Sequence, residues 1–237
     1  RGMGCANCCA FCGEKAPSLE SNWRFVYASS AATYGDGSQG FSDEHAGLKK
    51  LRPLNMYGLS KHWFDLWLLN QTQFKNAVGL KYFNVFGPNE GHKGRMASAL
   101  YHMYPQACKE NKVRLFKSSE PERFPDGGQQ RDFLYVADAA KMTCAFLEND
   151  AEGIFNIGMG EPNTWNYLAE SLFEAIDRPV QIEYIPMPQD LIGKYQNYSC
   201  ADMQKTKKAL GKKATTLPLK AAVKDYVQNY LIPGKTC

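Results

Sequence analysis

Short apolar runs that end in small or polar residues alternate with amphipathic stretches along most of the chain. The run at 24–28 ends at Ser29 and Ser30, and the run at 78–86 ends before a Gly-Pro pair, which is typical of buried parallel strands. Four more short strands are predicted, at 113–116, 132–136, 153–158 and 181–185.

Stretches with apolar residues at helical spacing separate these runs. They predict helices at 55–73, 96–110, 137–148, 165–176 and 220–231. Strands that alternate with helices predict an α/β fold with a mainly parallel sheet. Ligands of such sheets bind beyond the carboxyl ends of the strands. The polar residues at two predicted strand ends, Ser30 and Asn84, are therefore candidates for a site.

Composition and charge narrow the class of protein. The chain has 237 residues, 44% hydrophobic and 22% charged, which is enough for one large soluble domain or two small ones. The formal net charge of +4 suits an anionic ligand such as a nucleotide diphosphate, and the absence of a long Lys/Arg run argues against nucleic acid. No apolar run is long enough to span a membrane, and no export signal is predicted.

The cysteines fall into two groups. Four are scattered singly, which is typical of a reducing cytoplasm: Cys108, Cys144, Cys200 and Cys237. The others lie in an atypical N-terminal segment, 1–22: Cys5, Cys8, Cys9 and Cys12. Because two of these are adjacent, tetrahedral closure around a metal is awkward, and no metal site is predicted.

The first chemical constellation is Tyr57 and Lys61, four residues apart at the start of a predicted helix. This spacing places both side chains on one helix face. An ammonium group beside a phenol favours the phenolate, which can take a proton from a sugar hydroxyl. On its own the pair indicates a surface pair, because Tyr and Lys four residues apart occur by chance in many helices.

Ser30 favours the catalytic interpretation of this pair. It ends a predicted strand upstream of Tyr57, where a hydroxyl can donate to the same substrate oxygen. Alone, Ser30 reads as a turn residue after a strand. The combination of Ser30 with Tyr57 and Lys61 across a polar loop is much less expected by chance than either part.

Together with three further segments, these residues resemble the extended short-chain dehydrogenase/reductase family. The matching segments are SSAATYG at 29–35, PLNMYGLSK at 53–61, YFNVFGP at 82–88 and RDFLYVAD at 131–138. The resemblance implies a Rossmann-like doubly wound parallel sheet with a smaller α/β substrate domain. It assigns 23–90 to the dinucleotide-binding domain and 91–237 mainly to the substrate region, with 131–160 returning to the Rossmann domain.

Within the family, 91–98 and 193–196 are similar to a branch that epimerises an ADP-linked heptose at C6. This resemblance implies bound NADP, with NAD as the alternative, a homo-oligomer, and a role in lipopolysaccharide core synthesis in the cytoplasm. It makes Tyr57 and Lys93 the two acid/base groups, with Ser30 assisting. Lys61 and Val85 would contact the cofactor. The expected substrate contacts are Asn84, His102, Phe116, Lys117, Ser118, Ser119, Arg131 and Tyr195.

Several of these residues have other interpretations from the residues alone. Lys93 could be a solvated loop lysine that binds phosphate. Arg131 suits a diphosphate because its planar fork binds oxyanions bidentately, or it could form a surface pair with a neighbouring Asp. His102 could be a packing or capping residue, and Asn84 a turn residue at a strand end.

A complete dinucleotide domain begins with a strand, a Gly-rich turn and a helix that bind the cofactor pyrophosphate. The chain carries no such fingerprint, so we expect the first βαβ units to be absent and the chain to be a fragment or the product of a broken gene. Three functions remain open: the ADP-heptose epimerase, another sugar-nucleotide enzyme such as a UDP-sugar 4-epimerase or a dehydratase, and a non-catalytic remnant.

Overall fold

The computed structural model describes residues 24–71, 76–189 and 195–235. The N-terminal segment 1–22, with its four cysteines, and Gly193 and Lys194 lie outside the described residues. The strands are β1 Phe25–Ser30, β2 Ala77–Tyr82, β3 Asn84–Phe86, β4 Val113–Phe116, β5 Gln130–Tyr135, β6 Gly153–Ile157, β7 Pro162–Thr164 and β8 Ile182–Ile185. The α-helices are α1 His45–Leu48, α2 Met56–Leu69, α3 Ala99–Glu110, α4 Val136–Leu147, α5 Trp165–Ala175, α6 Gln204–Leu210 and α7 Leu219–Tyr226.

The first sheet has the strand order β1-β2-β6, and both of its strand pairs are parallel. Its central strand β2 is buried from Ala77 to Lys81, because the sheet is covered on both faces, as is usual for parallel sheets. Ser30 lies at the carboxyl end of β1, directly opposite Tyr82 at the end of β2. The predicted α/β fold with a mainly parallel sheet is confirmed.

The predicted strand 78–86 is wrong in one respect, because the chain changes sheets within it. Tyr82 pairs with Ile157 on β6, whereas Asn84 pairs with Phe133 on β5. At the break, the backbone N–H of Phe83 donates to the Ile157 carbonyl, and the Phe83 ring is buried in the first core. A continuous apolar run does not reveal such a switch, because both halves are equally hydrophobic.

Two smaller sheets complete the strand pairing. In the order β3-β5-β7, β3 runs parallel and β7 antiparallel to β5, and the third sheet pairs β4 with β8 in parallel. The apolar residues form two cores. One core surrounds the first sheet with residues of α4 and α6, and the other joins α3, α5 and α7 to β4 and β5.

Helix starts follow the capping rules that sequence patterns rely on. Asn55 caps α2 by accepting from the Gly58 N–H at 2.8 Å, and Ser98 caps α3 by accepting from the Tyr101 N–H at 3.3 Å. Other elements were not expected from the pattern: α1, α6, β7 and a 3₁₀ turn at Gly91–Met96. None of the helices in the described part of the chain is both long and apolar enough to cross a bilayer.

Candidate active site

The carboxyl end of β1 and the first turns of α2 are held together by a lysine. Lys61 Nζ donates a 2.7 Å hydrogen bond to the Ala28 carbonyl of β1 and lies 5.9 Å from the centre of the Tyr57 ring. Tyr57 itself is 57% exposed. The helix therefore presents the phenol to solvent while its lysine is tied to the strand.

Ser30 belongs to the same corner of the molecule. Its hydroxyl accepts from the Ala32 N–H at 3.1 Å and so caps the 3₁₀ turn that follows β1. Gly58 packs against that turn so closely that a Cβ there would lie 2.6 Å from the Ala32 carbonyl oxygen. Contacts of α2 with Ala28 and Ala32, on either side of Ser30, bring the predicted set of Ser30, Tyr57 and Lys61 to one strand end.

A buried polar network lies beneath this corner. Lys81 Nζ contacts Asp65 Oδ2 at 2.6 Å with both side chains fully buried, and the same ammonium donates to Thr33 Oγ1 at 2.6 Å. Asp65 also accepts from the hydroxyls of Tyr27, at 2.7 Å, and Ser29, at 2.8 Å. Burial lowers the pKa of Lys81, and the Asp65 carboxylate opposes that shift. The network ties α2 to β1 and β2 one helical turn below Lys61.

Four of the predicted site residues line one cavity of about 420 Å³, here named the tyrosine cavity: Tyr57, Asn84, Val85 and Lys93. Lys93 reaches this cavity from the exposed 3₁₀ turn Gly91–Met96. Asn84 reaches it from the start of β3, just after the chain changes sheets. Asn84 also donates to the Asp132 carbonyl at 3.1 Å, which fixes its amide. Ser30 is not among the cavity's lining residues.

Glu90 also lines the tyrosine cavity and holds both ends of the loop that carries Lys93. It is 3% exposed. Its carboxylate accepts from the Ser98 N–H at 2.6 Å, from the Ser98 hydroxyl at 2.7 Å and from the Tyr226 hydroxyl at 3.0 Å. Its carbonyl accepts from the Lys93 N–H at 3.0 Å. Glu90 gives no signal in the sequence, because a single Glu in a Gly-rich loop carries no distinguishing pattern.

A second cavity of about 450 Å³, here named the histidine cavity, adjoins the first. Ala99 and Trp165 line both. Three predicted substrate residues line the histidine cavity: His102, Phe116 and Tyr195. The exposed side chain of His102 on α3 does not serve as a helix cap, since that role belongs to Ser98.

Arg131 is buried behind the histidine cavity rather than paired on the surface. Its guanidinium carbon lies 4.9 Å from the Tyr195 ring centre and 5.8 Å from that of Trp165, both of which line the cavity. No carboxylate in the described part of the chain forms an ion pair with it. Burial lowers the pKa of Arg131, and Tyr195 opposes this. The alternative of a pair with a neighbouring Asp is wrong.

The predicted run 116–119 is only partly brought to the cavities. Lys117 is exposed, and its backbone N–H donates to the Ile185 carbonyl at 2.8 Å. The Ser118 N–H donates to Asp126 at 2.8 Å, and the Ser119 hydroxyl contacts Asn197. None of these three residues lines either cavity, so their role as substrate contacts stays a prediction.

The model of the NAD dependent epimerase/dehydratase family matches residues 5–158. The chain belongs to this family. The match includes Ser30, Tyr57, Lys61 and Lys93, and ends just after β6 of the first sheet.

Curated relatives of this epimerase/dehydratase chain are similar over most of its length. The ADP-L-glycero-D-manno-heptose-6-epimerase of Nitratidesulfovibrio vulgaris is 47% identical over 90% of this chain and 66% of its own length. The protein of that name from Fusobacterium nucleatum is 44% identical, over 93% of this chain and 67% of its own. The chain therefore spans about two thirds of the length of these relatives.

A solved structure supports the Rossmann-like fold. The crystal structure of ADP-L-glycero-D-manno-heptose-6-epimerase from Helicobacter pylori superposes with a TM-score of 0.70 at 27% identity, and covers 88% of this chain and 59% of that one. The fold and the family are thus established for the described residues.

Proposed function

We propose that the protein to which this chain belongs epimerises ADP-D-glycero-D-manno-heptose at C6, giving ADP-L-glycero-D-manno-heptose. One observation carries the proposal: Tyr57 and Lys93, from a helix and from a separate loop, line the same cavity. A reaction that inverts one sugar carbon needs a proton donor and acceptor on each of its faces. The names of the curated relatives support the ADP-heptose as substrate.

The roles of the side chains follow from their places. Tyr57, with the Lys61 ammonium beside its ring, would exchange the proton of the sugar hydroxyl on one face. Lys93 would do so on the opposite face, where a lysine that faces the cavity can give a proton to the bound sugar or take one from it. Ser30 would donate to the same oxygen as Tyr57, and Asn84 would orient the sugar.

The residues at the carboxyl ends of β1 and β2 fit one end of a nicotinamide dinucleotide. Ligands of parallel sheets bind at this edge, where Lys61 and the exposed Tyr57 stand. Lys61 and Val85 would hold that end, and the nicotinamide, when bound, supplies the hydride chemistry. The residues that choose between NADP and NAD would contact the adenosine ribose of the cofactor. No Gly-rich strand–turn–helix that would bind the adjoining pyrophosphate occurs in the described ranges.

The wider context of the reaction belongs to the same proposal. The nucleotide would occupy the histidine cavity, with its phosphates near Arg131 and its base against Phe116 and Tyr195. The reaction would serve lipopolysaccharide core synthesis in the cytoplasm. The complete protein would act as a homo-oligomer.

Two substitutions test the assignment, each assayed as turnover of ADP-D-glycero-D-manno-heptose. Tyr57→Phe and Lys93→Met each remove one proton-transferring group and should lower turnover by about 10²–10⁴-fold. Lys109→Met, an exposed lysine of α3, is the matched control and should leave turnover unchanged. If Lys93→Met turns over ADP-heptose as fast as the wild type, the C6 epimerase assignment fails in favour of another sugar-nucleotide enzyme.

A second measurement separates the enzyme from a non-catalytic remnant. Purified chain is titrated with NADP and with ADP by calorimetry. Binding of both supports the epimerase. Binding of ADP without any binding of NADP indicates a remnant that keeps only the substrate half of the site.

A further inference from the structure

Thr33 lies in the 3₁₀ turn Ala31–Tyr34 that follows β1, where it is fully buried and makes two hydrogen bonds. Its Oγ1 accepts from the Lys81 ammonium at 2.6 Å, and its hydroxyl donates to the Ser30 carbonyl at 2.9 Å. An ammonium group can only donate, so the proton of the threonine hydroxyl is left for the carbonyl. The hydrogen bonds therefore run in one direction, from Lys81 through Thr33 to Ser30.

The side chain of Ser30 belongs to the same turn. Its hydroxyl accepts from the Ala32 N–H at 3.1 Å. Because this bond uses a lone pair of the oxygen, the hydroxyl proton can be donated to a substrate oxygen. The place from which Ser30 donates is set by its backbone, and Thr33 holds that backbone at the carbonyl.

Lys81 joins this turn to the helix that carries Tyr57. The Lys81 ammonium contacts the Asp65 carboxylate at 2.6 Å, and both side chains are fully buried. Asp65 lies on α2, about two helical turns beyond Tyr57. One path of buried contacts, from Asp65 through Lys81 and Thr33, thus fixes the strand end that holds Ser30 relative to the helix that holds Tyr57.

We propose that Thr33 is a positioning residue, which holds the Ser30 hydroxyl where it meets the same sugar oxygen as the Tyr57 phenol. The inference rests on the proposed function, which gives Ser30 and Tyr57 a shared substrate oxygen, and it adds a residue that touches neither substrate nor cofactor. A misplacement of about 1 Å can lower a rate by about 10²-fold, so a fully buried hydroxyl can matter for turnover.

The test compares turnover and amide exchange in threonine variants of the full protein. Thr33→Val removes the hydroxyl and should lower kcat by about tenfold while KM changes by less than about twofold, because it misplaces a group that acts in the transition state. Hydrogen–deuterium exchange at the Ala32 amide, which the Ser30 hydroxyl protects, should become about fivefold faster. Thr33→Ser keeps the hydroxyl and should restore both kcat and the slow exchange.

Thr206→Val is the matched control. Thr206 is also fully buried, and its hydroxyl donates to the Asn156 carbonyl of the first sheet at 2.7 Å. This variant loses a comparable hydrogen bond away from the turn that follows β1. It should therefore leave kcat and the exchange at the Ala32 amide unchanged.

A double-mutant cycle with Ser30→Ala decides whether Thr33 acts through Ser30. Thr33→Val should lower kcat about tenfold when Ser30 is present and should lower it no further in the Ser30→Ala background. The same loss in both backgrounds overturns the inference. So does wild-type kcat in Thr33→Val, or an equal loss of kcat in Thr206→Val.

The proposed function is judged separately by the choice of substrate. The wild type is assayed with ADP-D-glycero-D-manno-heptose and with UDP-galactose, each in the presence of NADP. If it turns over only UDP-galactose, the ADP-heptose assignment fails, while a loss of kcat on UDP-galactose that depends on Ser30 still supports the role of Thr33. If the wild type turns over neither sugar nucleotide, both proposals fail.

Discussion

The two acid/base candidates of the tyrosine cavity are supported in opposite ways. Tyr57 stands on α2, which the buried Asp65–Lys81 pair and the Lys61 hydrogen bond fasten to the first sheet. Lys93 stands on an exposed loop that Glu90 holds at both ends, with one further hydrogen bond inside it, from the Ala97 N–H to the Gly94 carbonyl at 3.0 Å. The first support joins a helix to a sheet through buried charges. The second rests on a few contacts of one short loop.

The buried polar contacts of the two regions differ in the same way. Beneath Tyr57, a full ion pair is removed from water and is satisfied by Tyr27, Ser29 and Thr33, so that breaking it is costly. Beneath Lys93, a single carboxylate accepts from neutral donors, and breaking it affects chiefly the loop. Substitutions beneath Tyr57 should therefore lower the stability of the whole fold. Substitutions beneath Lys93 should chiefly loosen the loop.

The largest effect is expected at Asp65. Asp65→Asn leaves Lys81 buried without its carboxylate and should lower the free energy of unfolding by about 3–5 kcal/mol. Urea denaturation followed by circular dichroism measures it. Glu148→Gln is the matched control, because it breaks a pair with Lys213 in which both side chains are more than half exposed, and it should cost far less than Asp65→Asn. Equal costs at the two sites would contradict the role given to the network.

A buried carboxylate beside the first sheet, Asp43, gives a pH signature. Its carboxylate accepts from the Asn156 N–H at 2.7 Å, and burial raises the pKa of Asp43 from its ordinary 3.8 to about 6. Between these values the folded chain keeps a proton that the unfolded chain has lost. Stability should therefore fall as pH rises through this window, by about 3 kcal/mol.

The check for Asp43 is the free energy of unfolding measured from pH 3.5 to pH 7. Asp43→Asn removes the titrating group, so the difference between wild type and variant should change across this window. A difference between wild type and Asp43→Asn that stays constant with pH would show that Asp43 does not titrate as described.

The two regions also differ in how much of their structure the sequence predicts. Ser30, Tyr57 and Lys61 could be found because strand ends and helical spacing place side chains by short-range rules. Lys81 gives a further signal, since a lysine within an apolar strand needs a buried partner. The switch of sheets at Phe83 and the clasp between Glu90, Ser98 and Tyr226 depend on contacts between distant segments, and no local pattern records them.

An intermediate effect is expected at Glu90. Glu90→Gln removes the charge that accepts from Ser98 and Tyr226 and should cost about 1–3 kcal/mol, felt mainly by the loop. Hydrogen–deuterium exchange should become at least fivefold faster at the amides of Ser98 and Lys93. Asp138→Asn is the control, because that buried carboxylate accepts from the Leu217 N–H and from no residue of the loop. Unchanged exchange at the Ser98 amide in Glu90→Gln would show that the Glu90 carboxylate does not hold this loop.

The smallest effect on stability is expected at Gly94, and its functional effect should be confined to one loop. A Cβ there has open space around it, so Gly94→Ala acts only through the positive φ and should cost about 1 kcal/mol. Gly40→Ala is a matched control, since Gly40 also has a positive φ, +75°, with nothing within 4 Å of its added Cβ. Both variants should lose similar stability, yet only Gly94→Ala should weaken ADP binding and slow turnover, because only its loop carries Lys93, which lines the tyrosine cavity, and Arg95, which lines the histidine cavity. Equal ADP affinity in the two variants would show that the backbone conformation at Gly94 does not position the side chains of Lys93 and Arg95 for binding.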